Sequence, residues 1–287
     1  MMCQDAPVWF VTGCSTGFGR ELAKLLLSQG VRTVVTARDI TKLDDVVRGR
    51  EANALVISLD VTDKRAVHAA VDAAHARFGQ IDVLVNNAGY GYLAAIEEGE
   101  DEPVRRMFET NVFGLIEVTK AVLPGMRARR QGCIVNLSSI GGLVSFAATG
   151  YYHATKFAVE GLSGSLATEL APLGIKVLVV EPGAFRTDFA GRSIVASKIE
   201  IPDYAETAGA RRRQTYARDG KQQGDPARAA QAIINAVASP NMPFRLVLGA
   251  PALDLARKDL DAKQREFDAW QEVTLGADYP EPPPSRS

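Results

Sequence analysis

Short apolar runs alternate with longer segments of helical periodicity along most of this chain. The apolar runs predict strands at residues 8–11, 33–37, 54–59, 83–85, 132–137, 175–180 and 245–248. Apolar positions three or four residues apart predict helices over 20–29, 63–78, 103–123, through 152–156 to about 173, over 226–238 and after Pro251. Strands that alternate with helices form a parallel sheet through right-handed crossovers. The pattern therefore predicts one α/β domain, a doubly wound parallel sheet with helices on both faces.

The periodicity fades in two places, and each suggests a different role. Between residues 187 and 225 glycines and a proline interrupt it, which predicts a lid over the substrate at about 188–225. Within this segment we expect Arg211-Arg212-Arg213 to form a solvated helix face rather than an anion site. Residues 1–250 are then the main domain. Residues 251–287 carry a C-terminal helix and a Pro-rich tail that we expect to be disordered from Tyr279 onward.

Composition narrows the possible partners. The chain has 287 residues, of which 46% are hydrophobic and 23% charged, and its formal net charge is -1. This balance gives no reason to expect nucleic acid or an anionic membrane as partner. No apolar run approaches the ~20 residues that span a bilayer. The N-terminus shows no signal-peptide pattern, so we expect a cytoplasmic protein.

The cysteines and histidines are few and widely spaced. Their spacing indicates neither a disulfide framework nor a metal site, and we expect the histidines on surfaces or helix faces. The residues are Cys3, Cys14 and Cys133, and His68, His75 and His153.

A glycine-rich turn directly follows the first predicted strand and precedes the first helix. It runs from Thr12 to Gly19 with the spacing Gly-x-x-x-Gly-x-Gly. In this context glycines let the backbone approach a phosphate, and the helix N-terminus supplies N–H donors. The spacing differs from the better-known Gly-x-Gly-x-x-Gly, and a tight turn without a ligand is the alternative.

The second strand ends in Arg38-Asp39, which bears on the choice of dinucleotide. An acidic residue here binds the ribose 2′-OH of NAD, whereas an arginine accommodates the 2′-phosphate of NADP. We therefore expect NADP(H), with NAD(H) possible if Arg38 is solvated and Asp39 takes the ribose. Two further strands end at Asp60 and Asn87, which places these side chains at the same edge of the sheet.

Tyr152 and Lys156 lie four residues apart on one helix face. A nearby ammonium would lower the tyrosine pKa from about 10 by about three, although burial would oppose this. The pair alone does not identify a catalytic site, because a core tyrosine beside a solvated lysine has the same spacing. The neighbouring Tyr151 lies five residues from Lys156 and faces a different direction, so we favour Tyr152 as the proton-transfer group.

Seven motifs follow one another along the chain. They are Thr12-Gly-x-x-x-Gly17-x-Gly19, Asp60-Val61, Asn86-Asn87-Ala88-Gly89, Asn111, Ser139, Tyr152-x-x-x-Lys156 and Pro182-Gly183. Taken together, these motifs resemble those of the short-chain dehydrogenase/reductase superfamily, over roughly residues 7–250. The resemblance implies a single-domain Rossmann-like fold and an oxidoreductase, similar to carbonyl, hydroxysteroid or retinol-type reductases.

The same resemblance implies a catalytic tetrad of Asn111, Ser139, Tyr152 and Lys156. Tyr152 would be the general acid in carbonyl reduction and the general base in alcohol oxidation. Ser139 would hold the substrate oxygen, Lys156 would lower the tyrosine pKa and bind the nicotinamide ribose, and Asn111 would hold a water of a proton relay. The residues expected at the cofactor are Gly13, Ser15, Thr16, Gly17, Phe18, Gly19, Arg38, Asp60, Val61, Asn87, Ala88, Gly89, Tyr152, Lys156, Pro182, Gly183 and Thr187.

The expected function is therefore NAD(P)-dependent hydride transfer to a carbonyl or from a secondary alcohol. The alternative is a non-catalytic dinucleotide-binding sensor or scaffold of the same fold. NADP-preferring relatives often carry a basic residue in the glycine turn, which this chain lacks, so the expected preference rests on Arg38. The resemblance further implies a small-molecule substrate and a homodimer or homotetramer.

Overall fold

The structure is a computed structural model that describes residues 7–189, 191 and 193–279. Cys3 and all of the expected disordered tail except Tyr279 lie outside the described residues. The strands of the described part are β1 Trp9–Val11, β2 Thr33–Ala37, β3 Ala54–Ser58, β4 Val83–Asn86, β5 Gly91–Leu93, β6 Gly132–Leu137, β7 Ile175–Pro182, β8 Ile194–Ala196 and β9 Arg245–Leu248. Its α-helices are α1 Gly17–Ser28, α2 Asp44–Val47, α3 Lys64–Phe78, α4 Asp101–Phe108, α5 Leu115–Arg129, α6 Gly150–Leu170, α7 Ala210–Ala217, α8 Pro226–Ala238, α9 Ala250–Ala269 and α10 Gln271–Leu275.

Seven of these strands form one parallel sheet in the order β3-β2-β1-β4-β6-β7-β9. Every pairing along it is parallel, for example Val11 with Val35 of β2 and with Val85 of β4. The order reverses between β1 and β4, so the carboxyl ends of these strands flank the point at which such sheets bind ligands. The predicted doubly wound, Rossmann-like fold is confirmed.

Both faces of the sheet are buried, which explains why the strands read as continuous apolar runs. Trp9 and Val11 of β1 pack with α1 and α8 on one face. Val8 and Phe10 pack with α3 and α5 on the other face. Because successive strand residues point to opposite faces, both halves of each run must be apolar.

The long predicted helix over 103–123 is a composite in the structure. α4 ends at Phe108, a π-helical segment spans Glu109–Gly114, and α5 continues to Arg129 with Pro124 inside it. The prediction stopped before Pro124, which cannot donate the backbone hydrogen bond of an inner helical position. Met126 beyond the proline is fully buried, and its packing holds the helix together past that point.

The segment expected to be irregular contains regular structure. β8 pairs with β5 in a small parallel sheet, and α7 follows. Each strand has only three residues and its partner lies about a hundred residues away in the sequence, so no local pattern could reveal the pairing.

None of the helices in the described part combines the length and the apolar composition needed to cross a bilayer.

Candidate active site

The two tyrosines at the start of α6 have different environments. Tyr152 is buried, and the Ser139 side chain lies close enough to its phenol to lower the phenol pKa, against the larger effect of burial. Tyr151 instead donates to the backbone carbonyl of Ile96 at 2.6 Å. The helix therefore places Tyr152, not Tyr151, near Ser139.

Ser139 lies two residues after β6 and is the N-cap of the short 3-10 helix Ile140–Gly142. Its hydroxyl accepts the backbone N–H of Gly141 at 3.0 Å, which fixes its rotamer. The hydroxyl is thus held at the carboxyl edge of the sheet, next to the phenol of Tyr152.

Lys156 is buried one helical turn after Tyr152. Its Nζ lies 5.7 Å from the Tyr152 ring centroid and donates to the Leu137 carbonyl at 2.6 Å. Burial lowers the pKa of Lys156 to about 8, and the nearby Glu160 acts in the opposite direction. Burial also raises the pKa of Tyr152 to about 12, against the Ser139 hydrogen bond. In this structure burial therefore has the largest effect on the pKa of Tyr152.

Asn111 lies within the π-helical segment and is almost fully buried. Its carboxamide donates to the Tyr90 carbonyl at 2.9 Å and to the Thr155 hydroxyl at 3.1 Å, and it accepts the Tyr90 N–H at 3.0 Å. A Cβ added at Gly89 would lie 3.0 Å from Asn111 Oδ1 and 3.9 Å from Lys156 Nζ. The chain after β4 therefore passes directly beside the predicted catalytic pair.

The glycine turn is clamped by the segment that follows β4. Asn87 Nδ2 donates to the carbonyls of Thr12 and Gly13 at 2.8 and 2.9 Å. The Thr12 hydroxyl accepts the N–H groups of Asn87 and Ala88 at 2.9 and 3.0 Å. A side chain at Gly19 would collide with this clamp, because its Cβ would lie 2.4 Å from Asn87 Nδ2. The side chain of Asn87, expected at a ribose, is thus tied to the turn.

The N-terminus of α1 opens into a cleft of about 750 Å³. Thr16 precedes the helix without a side-chain cap, so the first N–H groups of the helix remain available. Two basic residues, Arg20 and Lys42, line the same cleft together with Ser15. Sequence reasoning sought a basic residue inside the turn and missed these, which come from α1 and from the short helix after β2.

The side chains of Arg38 and Asp39 differ in their hydrogen bonds and ion pairs. The Asp39 carboxylate accepts the N–H and hydroxyl of Thr41 at 3.1 and 2.6 Å and lies 3.8 Å from Lys42 Nζ. The Thr41 hydroxyl is the main cause that lowers the pKa of Asp39. The exposed Arg38 guanidinium forms no hydrogen bond or ion pair with the residues that the structure describes.

The remaining residues expected at the cofactor lie on both sides of the glycine turn. Asp60 accepts the N–H and hydroxyl of Thr62, and Val61 packs where a Cβ on Gly114 would approach it to 2.6 Å. On the other side Thr187 contacts the turn, since its Cβ would lie 3.5 Å from a Cβ added at Gly17.

Pro182 is the last residue of β7, and Gly183 follows it towards α9. Gly183 donates to the Leu248 carbonyl at 2.9 Å and leaves room for α9, where Ala252 Cβ would be 2.9 Å from an added Cβ. Phe185 then packs edge-on against Phe18, with ring centroids 5.1 Å apart.

The segment predicted as a lid covers Tyr152 directly. The Phe189 ring lies 5.3 Å from the Tyr152 ring, centroid to centroid. The side chains of Arg212 and Glu98 are almost fully buried and form an ion pair of 2.9 Å between α7 and the chain after β5. Arg211 stacks on Phe146 at 4.8 Å. The expectation that the three arginines form a solvated face is wrong for Arg212, and only Arg213 is exposed.

One histidine also departs from expectation. His153 is buried beside Tyr152 and accepts the Phe146 N–H at 3.2 Å, and burial lowers its pKa to about 4. Cys14 and Cys133 are buried free thiols. No metal-binding group of histidines, cysteines and carboxylates occurs in the described part of the chain.

Comparison with known proteins gives matches over most of the chain. The family described as short chain dehydrogenase matches residues 7–196. The chain is 35% identical over 272 residues to Oxidoreductase BOA17 of Botryotinia fuckeliana, a match that covers 94% of this chain and 98% of that protein.

The chain is also similar to solved structures over most of its length. The crystal structure of a short-chain dehydrogenase from Streptomyces avermitilis superimposes with a TM-score of 0.90 at 45% identity and covers 96% of this chain and 100% of that one. ElxO with NADP bound superimposes with a TM-score of 0.72 at 27% identity, over 87% of this chain and 99% of that one.

Proposed function

The chain belongs to the short-chain dehydrogenase family and is an oxidoreductase, and from this premise we propose that it transfers hydride between NADP(H) and a ketone, aldehyde or secondary alcohol. The observation that carries this proposal is the convergence of Ser139, Tyr152 and Lys156 at the carboxyl edge of the sheet. The Ser139 side chain is close enough to the Tyr152 phenol to lower its pKa, and Lys156 Nζ lies 5.7 Å from the Tyr152 ring centroid.

In this proposal Tyr152 moves the proton and Ser139 holds the substrate oxygen. A pKa of about 12 keeps the phenol protonated at neutral pH, so Tyr152 has a proton to donate in carbonyl reduction. The Ser139 hydroxyl lies near the phenol and would donate to the same carbonyl oxygen. Positioning of this kind supplies much of the rate in proton-coupled reactions.

Lys156 and Asn111 would support the tyrosine. The ammonium of Lys156 places a positive charge beside the site where the phenol loses its proton. Both N–H bonds of the Asn111 carboxamide are used by Tyr90 and Thr155. We therefore assign this side chain to hold the chain after β4 beside Lys156, and a relay water would bind to the Asn111 backbone.

The residues around the glycine turn fit a dinucleotide. Gly13 and Gly17 have φ values of 70° and 59°, and the uncapped N-terminus of α1 offers N–H groups to a pyrophosphate. Val61 offers an apolar contact near the adenine, and Thr187 adjoins the turn at the nicotinamide side. Bound nicotinamide supplies or accepts the hydride.

The preference for NADP(H) is supported by the contrast between Arg38 and Asp39. Asp39 is bonded to Thr41 and Lys42, whereas the Arg38 guanidinium is exposed and has no bonded partner among the described residues. A free guanidinium suits a 2′-phosphate through its fork of donors and its fixed charge. The nearby Arg20 and Lys42 are paired with Asp45 and Asp39, so the expected preference rests on Arg38.

Titration with NADPH and NADH, followed by nicotinamide fluorescence, tests the cofactor assignment. We expect NADPH to bind at least about tenfold more tightly, and Arg38→Asp to abolish this preference. The exposed Arg48 lies outside the cleft, so Arg48→Asp is the matched control and should leave the preference unchanged. The role of Arg38 would be contradicted if both variants lost the preference for NADPH equally, or if Arg38→Asp retained it.

A panel of aldehydes and ketones with NADPH tests the reaction itself. Turnover of at least one class is expected, with Phe189 and residues 188–225 forming a lid that opens for substrate. Tight cofactor binding with no turnover across the panel would instead support the sensor or scaffold. A cytoplasmic location and a homodimer or homotetramer complete the proposal on the strength of family resemblance.

A further inference from the structure

A buried charged cluster lies one helical turn beyond Lys156. Glu160 follows Lys156 on α6 with the spacing that places both on one helix face, and it is 8% exposed. Arg245 at the start of β9 pairs through a single nitrogen with Glu160 and with Glu181 of β7, the latter at 2.5 Å. Glu181 has no solvent exposure at all. One guanidinium thus joins two carboxyl groups that come from different elements.

The cluster lies where the predicted catalytic segments meet. Glu181 immediately precedes Pro182-Gly183, and Ser138 immediately precedes Ser139. A Cβ added at Gly142 would lie 2.4 Å from Ser138 Oγ and 3.0 Å from Glu160 Oε1. These two oxygens and Glu181 Oε2 are buried and find no hydrogen-bond partner among the described residues. The polar atoms of three segments therefore share one confined space.

The charges in this space do not cancel, because two carboxyl groups face one guanidinium. Burial, and then the adjacent Glu160, raise the pKa of Glu181 to about 7. Glu160 also raises the pKa of Lys156, against the burial that lowers it. The carboxylate of Glu160 is thus the charge that favours a protonated lysine, while Glu181 is the group that takes up a proton near neutral pH.

We propose that Glu160 is a positioning residue that, held by Arg245 and Glu181, keeps the Lys156 ammonium charged and bonded to the Leu137 carbonyl. A catalytic role of Glu160 rests on the proposed function, since Glu160 acts through Lys156. The titratable and charged groups that face Lys156 or Glu160 are Tyr152 on the same helix, Glu181 on β7 and Arg245 on β9. The π-helical segment and the end of β6 present the uncharged Asn111 and Ser138.

The test is the pKa of Lys156, measured by NMR of lysine labelled with ¹³C at Cε and assigned by its absence in Lys156→Arg. Removal of an opposite charge one helical turn away lowers the pKa of a lysine by about one or more. Glu160→Gln should therefore shift the titration of Lys156 to lower pH by that amount. Glu169 is exposed on the same helix and provides the matched control. Glu169→Gln should leave the pKa of Lys156 unchanged. General loosening of the core would instead admit water and raise the pKa, so the sign separates the two explanations.

If Glu160→Gln does not fold, Glu160→Asp withdraws the charge by one methylene and should shift the pKa of Lys156 in the same direction by less. An unchanged or higher lysine pKa in the folded variant would overturn the inference. The NMR experiment needs neither cofactor nor substrate, so its result stands apart from the proposed function. If turnover is found, the high-pH limb of kcat should move to lower pH in Glu160→Gln by the same amount.

Discussion

Replacement of Arg212 by alanine should loosen the segment over Tyr152. The Arg212 guanidinium donates to Glu98 at 2.9 Å and to the exposed Glu200 at 2.7 Å. The side chains of Arg212 and Glu98 are 9% and 4% exposed. Breaking a buried ion pair from one side costs about 3–5 kcal/mol, because the other charge is left in the protein interior.

The expected cost lies at the lower end of that range for a structural reason. Burial acts to raise the pKa of Glu98, but the backbone N–H groups of Ile201 and Ala95, together with Arg212, lower it overall. Both N–H groups lie 2.9 Å from the carboxylate and remain in the variant. We therefore expect a loss of about 3 kcal/mol in the free energy that holds this segment closed.

Hydrogen exchange at β5 and β8 is the appropriate assay, since their pairing reports opening of this segment without global unfolding. A loss of about 3 kcal/mol corresponds to exchange faster by about two orders of magnitude. The control is Arg213→Ala, one residue along the same helix but exposed, with an expected change below about 0.5 kcal/mol. Equal exchange rates at β5 and β8 in the two variants would show that the ion pair of Arg212 with Glu98 does not hold this segment closed.

Three further predictions concern stability. His153 has a folded-state pKa of about 4, lower than its ordinary 6.5, so the unfolded chain binds a proton first and the contribution of His153 to stability is lost as pH falls from 6.5 to 4. His153→Gln should flatten this slope in urea titrations at pH 7.5 and 5.0, and an unchanged slope would count against the buried neutral imidazole. Gly19→Ala should lower the melting temperature and weaken NADPH binding, because the new Cβ would lie 2.6 Å from the Gly13 carbonyl; normal stability and binding would show that the clamp adjusts. Gly164→Ala meets nothing within 4 Å and should raise stability by about 0.5–1 kcal/mol through helix propensity, whereas a lower melting temperature would argue against the open helix face.

The sheet could be predicted because each of its strands carries its signal locally. Val8, Phe10 and their neighbours are all apolar since both faces of the sheet are covered, and polar residues mark the strand ends. The same logic placed Asp60 and Asn87 at one edge. Tyr152 could be preferred over Tyr151 because helical spacing alone determines which side chain shares a face with Lys156.

Features that depend on distant partners could not be predicted in this way. Arg212 reads as part of a charge run, and its buried partner Glu98 lies 114 residues away in the sequence. Nothing local shows that the carboxamide of Asn87, which is expected at a ribose, also closes the glycine turn. The burial that raises the pKa of Tyr152 likewise depends on Phe189, which arrives from the segment after β7.

The pair of variants Tyr152→Phe and Tyr151→Phe tests the central claim most directly. Each is assayed for NADPH consumption with the best carbonyl substrate of the panel, at cofactor concentrations that saturate binding. The account predicts that Tyr151→Phe keeps turnover within a few-fold of the wild type, since its hydroxyl only bonds to the Ile96 carbonyl. Tyr152→Phe should bind NADPH normally and lose turnover by about a hundredfold or more. Turnover retained in Tyr152→Phe would contradict the assignment of Tyr152 as the proton-transfer group.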